Sequence, residues 1–297
     1  MSSLLEILGT RYPIIQGPIG ELNDPKMVAA VSEAGGFGML ALGFTQDLDR
    51  IKDMIARVKE LTDKPFGANL MIAMNPANEA ILDLLAEAGV RTVTTSAGSP
   101  KKIYPKVKAL GMNALHVLLA APLAPKAAEA GAAGVVVSGA ESGGLRTTGP
   151  ESSNLILVPL VCDMVDIPVV AAGGIADRRG YRAALALGAQ GVQIGTRFLA
   201  AEESPASKAW KEAIVSCGDG GTTLLPMGGM AMRTIINPKL GELMASGADL
   251  SKEYSMMNAG QAWRGGDFDL FPAGGGQVSA LIKSIKPVKD IIEELVS

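Results

Sequence analysis

Two glycine-bearing phrases, Ala171-Ala-Gly-Gly-Ile-Ala-Asp177 and Gly195-Thr-Arg-Phe198, carry the strongest chemical signal in this chain. Glycine lets backbone N–H groups approach an anion closely, and Thr196 adds a hydroxyl donor, so together they read as a cradle for phosphate. One Gly-Gly pair alone would mark no more than a tight turn. Two such phrases at neighbouring strand ends favour phosphate. Other polar or glycine residues also stand where short apolar runs stop: Gln16-Gly17-Pro18, Asn69, Ser138-Gly139 and Ala172-Gly173-Gly174. Groups able to move protons are few. Glu141 is a loop carboxylate that can act as a base or cap backbone N–H groups. His116, the one histidine, sits in an apolar run and is a core residue unless its strand ends at the site. Arg146 stays protonated, so it can bind an anionic substrate or a carrier's phosphate, or be a solvated surface residue, but cannot be a base.

Those residues must be positioned by the elements that end at them. Eight short apolar runs recur: Pro13–Gln16, Gly38–Leu42, Phe66–Asn69, Thr92–Ser96, Ala114–Leu118, Val135–Ser138, Pro168–Ala172 and Val192–Gly195. Each has the composition of a strand buried on both faces. Helical patterns lie between them, as in Asp47–Leu61 and Asn78–Ala88, and a repeated ending closes them: Glu33-Ala-Gly35, Glu87-Ala-Gly89, Ala109-Leu-Gly111, Glu129-Ala-Gly131 and Ala186-Leu-Gly188. Eight β-α units predict an α/β fold, a (β/α)₈ TIM barrel, ahead of a doubly wound sheet, and place the site at the carboxyl ends of the strands. The barrel is expected over residues 1–204 and 273–297. Residues 205–272 read as a helical and loop excursion over the mouth, with no clear strand period and no core of their own. The methionines at 227, 230, 232, 256 and 257 are packing residues there or an adaptable wall for substrate. Ser279–Val296 is expected to be one amphipathic helix.

Composition narrows the function. The chain has 297 residues, 48% hydrophobic and 19% charged, enough for a large core. A net charge of −3 and 4% aromatic residues argue against a nucleic-acid partner. Cys162 and Cys217 make no disulfide framework or zinc spacing, and no leader or membrane span is read, so a cytoplasmic protein with no bound metal is expected.

Several phrases then occur together and in order: Pro13-Ile-Ile-Gln-Gly17, Ala30-Val-Ser-Glu-Ala-Gly-Gly-Phe-Gly38, Lys64-Pro-Phe-Gly-Ala-Asn69, Gly139-Ala-Glu-Ser-Gly-Gly144, Ala171–Asp177, Gly195–Phe198 and Ala273-Gly-Gly-Gly-Gln277. Over almost its whole length the chain resembles the nitronate monooxygenases (2-nitropropane dioxygenases) and the FMN-dependent enoyl-acyl-carrier-protein reductases. The resemblance implies FMN across the barrel mouth. Its phosphate would meet Ala172, Gly173, Gly174, Gly195 and Thr196, and its ring and ribityl would meet Gln16, Gly17, Pro18 and Asn69. Glu141, Gly143 and Gly144 would approach the ring, and Gln277 would close the site. Flavin supplies the redox chemistry in such a site. Two departures stand out: Pro18 brings no N–H, and Leu145 stands where the family carries its catalytic histidine. Glu141 and His116 are the remaining candidates for that role. Three activities fit: oxidation of alkyl nitronates by O₂, NAD(P)H-dependent reduction of an enoyl thioester, or flavin binding without catalysis. The substrate is a small molecule or an acyl thioester, and a homodimer is compatible with the sequence.

Overall fold

The computed structural model describes residues 2–20 and 22–297. Six barrel strands come first: β1 (Ile14–Gln16), β2 (Gly38–Ala41), β3 (Phe66–Met71), β4 (Thr92–Ser96), β5 (Asn113–Leu118) and β6 (Gly134–Ser138). The chain then leaves the barrel as β7 (Gly144–Thr147) and returns for β8 (Val169–Ala172) and β9 (Gly191–Ile194). The eight barrel strands are parallel, in the order β1-β9-β8-β6-β5-β4-β3-β2. They coincide with the eight apolar runs, and the fold is the expected TIM barrel. The helix-ending glycines 35, 89, 111, 131 and 188 all have positive φ, the left-handed cap that lets each strand follow at once.

Closure of the barrel falls between β1 and β2. The backbone supplies two bonds there, from Gln16 N to Phe37 O (2.9 Å) and from Phe37 N to Ile14 O (2.8 Å). Side-chain amides complete the seam. Gln16 Oε1 accepts the Met39 N–H at 3.2 Å, and the Asn23 amide exchanges two 2.5 Å bonds with the backbone N–H and C=O of Ala41. The amide thus stands in for a missing stretch of strand. At the opposite end, the helix Leu4–Leu8 plugs the barrel: Leu4, Ile7 and Leu8 pack with Ile15, Phe37, Met39, Leu115, Val136 and Val170. Among the described residues the barrel floor is therefore filled, and the interior opens at the carboxyl end.

The stretch 205–272 differs from expectation. It contains the hairpin β10 (Thr222–Met227) and β11 (Met230–Ile235), and β11 pairs antiparallel with β7 to make a second, three-stranded sheet. It also has a cluster of its own around Trp210, Trp263, Tyr254 and Phe271, with the two indoles 5.0 Å apart. Tertiary packing of aromatics distant in sequence builds that cluster, so local periodicity gave no sign of it. The predicted last helix is shorter: Gln277–Leu281 is a 3-10 turn, and the helix begins at Val288, after Pro287.

His116 is decided by strand alternation. Leu115 and Val117 of β5 face the interior, so His116 faces the helix layer, where Nδ1 lies 2.9 Å from Thr95 Oγ1 and the ring meets Tyr104 edge-on. It does not line the mouth and is not placed to act on a substrate there. Burial pushes its pKa down to about 4. The native state therefore holds this imidazole neutral while an unfolded chain takes up a proton below about pH 6.5. Its contribution is complete above that pH and is lost as the pH falls toward 4. Because the chain has a single histidine, its imidazole gives one identifiable NMR signal, and that signal is expected not to titrate between pH 8 and 5.

Candidate active site

The loops that leave the carboxyl ends of the strands enclose a cavity of about 610 Å³, within the range of small-molecule and cofactor sites. Most of the residues singled out from sequence border it. Gly17 and Pro18 follow β1, Asn69 lies on β3 two residues before its end, and Ala172, Gly173 and Gly174 close β8. Gly195 and Thr196 follow β9, and Glu141, Gly143, Gly144 and Leu145 come from the excursion after β6. The glycines bring backbone to the wall in two ways. Gly173 and Gly174 have φ of +97° and +75°, and a Cβ on Gly173 would fall 2.0 Å from Ser142 Oγ. Gly195 has an ordinary φ of −107°, and a Cβ there would meet nothing within 4 Å. It would project into open space.

A flavin phosphate and ring fit this wall. Thr196 Oγ1 accepts the Gly276 N–H at 3.0 Å, which leaves its own proton to donate. Gln193, a lining residue of β9, holds a buried Oε1 with no hydrogen-bond partner among the described residues, an acceptor suited to a polar ring edge. Sequence reasoning did not single out Gln193. Its signal was its position two residues before Gly195, on the inward face of the strand.

A buried polar chain stiffens the loop beside β6. Arg146, 1% exposed, directs Nε and Nη2 to Glu151 Oε2 (3.0 and 2.9 Å), Nη2 to Ser138 O (3.1 Å) and Nη1 to Ser138 Oγ (2.7 Å). Ser138 Oγ donates to Ser142 Oγ at 3.0 Å, and Ser142 Oγ donates to Ala172 O at 2.9 Å. Each hydroxyl proton in this chain is spoken for, so Ser138 and Ser142 offer acceptors to the cavity. Arg146 does not border the cavity. It is neither a surface residue nor positioned to bind substrate, because its place on β7 buries it against Glu151.

Three other assignments change. The Glu141 carboxylate accepts the Asn154 N–H at 3.0 and 3.3 Å, so it caps the helix Asn154–Cys162 while also lining the cavity. Gln16 serves the barrel seam and is absent from the cavity wall. Gln277 is exposed and reaches Glu141 O through its backbone N–H. Its neighbours Gly274, Gly275 and Gly276 line the cavity in its place. Trp210 Nε1 donates to Gly274 O at 2.7 Å and holds that glycine run against the mouth. Leu145 does face the cavity, beside Met230, Met232, Met256 and Met257. No lysine, arginine or histidine side chain borders it among the described residues. Nor do the described residues contain a cluster of three metal-ligating side chains or a helix long and apolar enough to cross a membrane.

Comparison with known proteins fits this architecture. Residues 1–297 match the family described as nitronate monooxygenase. The chain belongs to that family. A curated relative in Rhodococcus jostii (strain RHA1) is 39% identical over 247 residues, covering 83% of this chain and 69% of the relative. It is named (3aS,4S,5R,7aS)-5-hydroxy-7a-methyl-1-oxo-octahydro-1H-indene-4-carboxyl-CoA dehydrogenase. A nitronate monooxygenase of Pseudomonas aeruginosa PAO1 is 32% identical and covers 98% of this chain and 97% of its own length. The solved structure of FabK from Thermotoga maritima superposes with a TM-score of 0.88 at 34% identity, over 100% of this chain and 95% of that one. This member of the nitronate monooxygenase family is an FMN-dependent oxidoreductase, as its motifs imply.

Two substitutions separate cofactor contact from scaffold. Gly195→Ala is expected to change stability by less than about 0.5 kcal/mol, since its φ suits alanine, yet to weaken FMN binding at least ~10-fold by filling the open space. Gly174→Ala would instead lower the melting temperature, because a left-handed residue costs on the order of 1 kcal/mol or more without glycine. Flavin fluorescence titration and thermal melts of both variants measure this. Arg146→Met strands the Glu151 carboxylate, 7% exposed as a side chain, and is expected to cost roughly 3–5 kcal/mol in urea unfolding. Adding Glu151→Leu should recover most of that loss.

Proposed function

We propose that this chain is an FMN-dependent oxidoreductase of apolar acyl thioesters, reducing the carbon–carbon double bond of an enoyl thioester with electrons from NADH or NADPH. The observation that carries this reading is the lining of the cavity. Leu145, Ile19, Phe44 and the four methionines form an apolar wall, and no cationic side chain stands among the described lining residues. A thioester is neutral at its reacting end and suits such a wall. A nitronate is an anion whose burial calls for a partner charge. Arg146, the one cation near in sequence, is consumed by Glu151. The Rhodococcus relative named as a carboxyl-CoA dehydrogenase supports the same substrate class.

FMN, when bound, supplies the hydride acceptor and donor that link the nicotinamide to the substrate. The protein's part is placement. Gly173, Gly174, Gly195 and Thr196 would hold the phosphate. Asn69 and Gln193 would meet the ring, with Asn69 Nδ2 steadied by Thr94 Oγ1 at 2.9 Å. The methionines adapt to the acyl chain and exclude water from its length. Reduction adds a hydride to the β-carbon and a proton to the α-carbon. Since Glu141 is engaged with Asn154 N, water at the open mouth supplies that proton.

A second reading, oxidation of alkyl nitronates by O₂, is favoured by the site's lack of a free base: a nitronate has already lost the C–H proton that a base would remove. Leu145 beside the cavity suits that restriction, and the Pseudomonas relative carries the activity in its name. Anaerobic stopped-flow spectroscopy separates the two. The thioester reading expects NADH or NADPH to bleach the FMN absorbance and an enoyl-CoA to restore it. KM should fall about fourfold for each added methylene, the worth of ~0.8 kcal/mol of burial, until the wall is filled. No bleaching by either nicotinamide, with rapid bleaching by a preformed nitronate and none by the neutral nitroalkane, would transfer the assignment to nitronate oxidation.

A further inference from the structure

The inner face of β4 carries a stack of hydroxyls. Thr92, Thr94 and Ser96 share that face by the two-residue alternation of a strand, while Val93 and Thr95 turn to the helix layer. Thr92 Oγ1 donates to Ile7 O in the floor plug at 2.6 Å, and Thr94 Oγ1 donates to Met39 Sδ at 3.1 Å while accepting the Asn69 amide. Ser96, nearest the carboxyl end, borders the cavity. Its hydroxyl has no hydrogen-bond partner among the described residues. Its backbone, in contrast, is fixed. Ser96 O accepts the Ile72 N–H and Ala97 O accepts the Ala73 N–H, both at 2.8 Å, so the β3–β4 pairing runs on past the strand end. Ala97 then breaks the strand at φ +50°, the one non-glycine residue with positive φ among the described residues. Backbone strain of this kind collects at functional sites.

Four hydroxyl side chains border the cavity among the described residues, and Ser96 is the one left without a task. Ser138 donates to Ser142, and Ser142 donates to Ala172 O. Thr196 is taken by the phosphate in the reading above. The indole N–H groups of Trp210 and Trp263 are occupied by Gly274 O and Pro272 O. Position also separates Ser96 from the phosphate cradle. β4 lies four places from β9 in either direction around the ring, so Ser96 stands across the mouth from Thr196. The wall on that side is apolar, with Phe44, Met71, Ala97 and Leu119.

We propose that Ser96 is a catalytic residue whose hydroxyl donates a hydrogen bond to the carbonyl oxygen of a bound enoyl thioester, a role that rests on the thioester reading above. Reduction delivers a hydride to the β-carbon, the π pair of the double bond moves toward the carbonyl, and negative charge collects on its oxygen as an enolate. Water then protonates the α-carbon, and the thioester carbonyl is restored. Two electrons thus pass from NADH or NADPH, by way of the flavin, to the substrate, and Ser96 begins and ends as a neutral hydroxyl. A carbonyl oxygen set in an apolar wall is costly to desolvate unless a donor meets it. A single preorganised donor there stabilises the enolate oxygen more than the ground-state carbonyl, and that difference accelerates the hydride step.

Stopped-flow kinetics of Ser96→Ala and Ser96→Thr in the flavin-loaded protein test this. Ser96→Ala is expected to keep the flavin content and melting temperature of the wild type, since no internal hydrogen bond is lost, and to be bleached by the nicotinamide at an unchanged rate. Its reoxidation by an enoyl-CoA is expected to slow at least ~100-fold, and Ser96→Thr, which keeps the hydroxyl, to stay within about tenfold of the wild type. A second readout needs no turnover. In isotope-edited infrared spectra of enoyl-CoA bound to the oxidised protein, the thioester carbonyl stretch is expected at lower frequency in the wild type and Ser96→Thr than in Ser96→Ala. Full-rate reoxidation of Ser96→Ala, or a carbonyl stretch that the substitution leaves unchanged, would overturn the inference and leave the thioester reading in place. A wild type that enoyl-CoA does not reoxidise overturns both.

Discussion

The barrel closes where its strands are least able to close it. β1 is three residues long and reaches β2 by two backbone bonds around Phe37, after which the strand pair parts. Beyond that point the Gln16 and Asn23 amides take over, occupying Met39 N and both polar groups of Ala41. Each buried backbone group left without a partner would cost about 1–3 kcal/mol, so this small clasp decides whether eight strands form a ring or an open sheet. The site depends on it directly, because Gly17 and Pro18 on one side and Ala41 and Gly43 on the other border the same cavity.

Once the ring is closed, alternation along each strand assigns every side chain to the interior or to the helix layer. That single constraint separates residues of similar chemistry. Gln193 and Asn69 point inward and become available to a cofactor. His116 points outward and becomes a neutral partner of Thr95. The plug at Leu4–Leu8 closes the floor, so among the described residues the route for ligand is the mouth, where the loops collect. There the glycines give up side chains to bring backbone close, and rigidity comes from around them: Asn154 and Ser142 on the β8 loop, Arg146 and Glu151 on the loop after β6.

The second sheet and its aromatic cluster give the mouth its character. β7 joins the hairpin β10–β11, and this carries Leu145, Met230 and Met232 to the cavity edge, while Trp210 and Trp263 anchor the glycine run through Gly274 O and Pro272 O. The result is a wall of glycine backbone and side-chain amides under an apolar roof. Catalysis in such a site rests on orientation more than on acid–base groups of the protein. The apolar roof also distinguishes possible substrates by what it lacks, a cation for a buried anion.

Sequence by itself determined the barrel. Eight apolar runs alternating with patterned helices, five of them ended by a glycine stop, leave few other ways to bury both faces of every strand. It also marked the strand-end residues of the mouth, since glycines placed after the last two barrel strands, β8 and β9, have a local backbone reason to be there. Tertiary structure decided what no local pattern encodes. Gln16 and Gln193 share a side chain, yet one closes the seam and the other faces the cavity. Arg146 reads as a solvated charge from sequence until β7, which carries it, pairs with β11 and its guanidinium is buried against Glu151. Glu141 becomes a helix cap because Asn154, thirteen residues later, arrives with a free N–H. The hairpin at 222–235 stayed hidden for the same reason: its partners are β7 and a cluster of distant aromatics, and pairing across such sequence distance leaves no periodic trace in either segment.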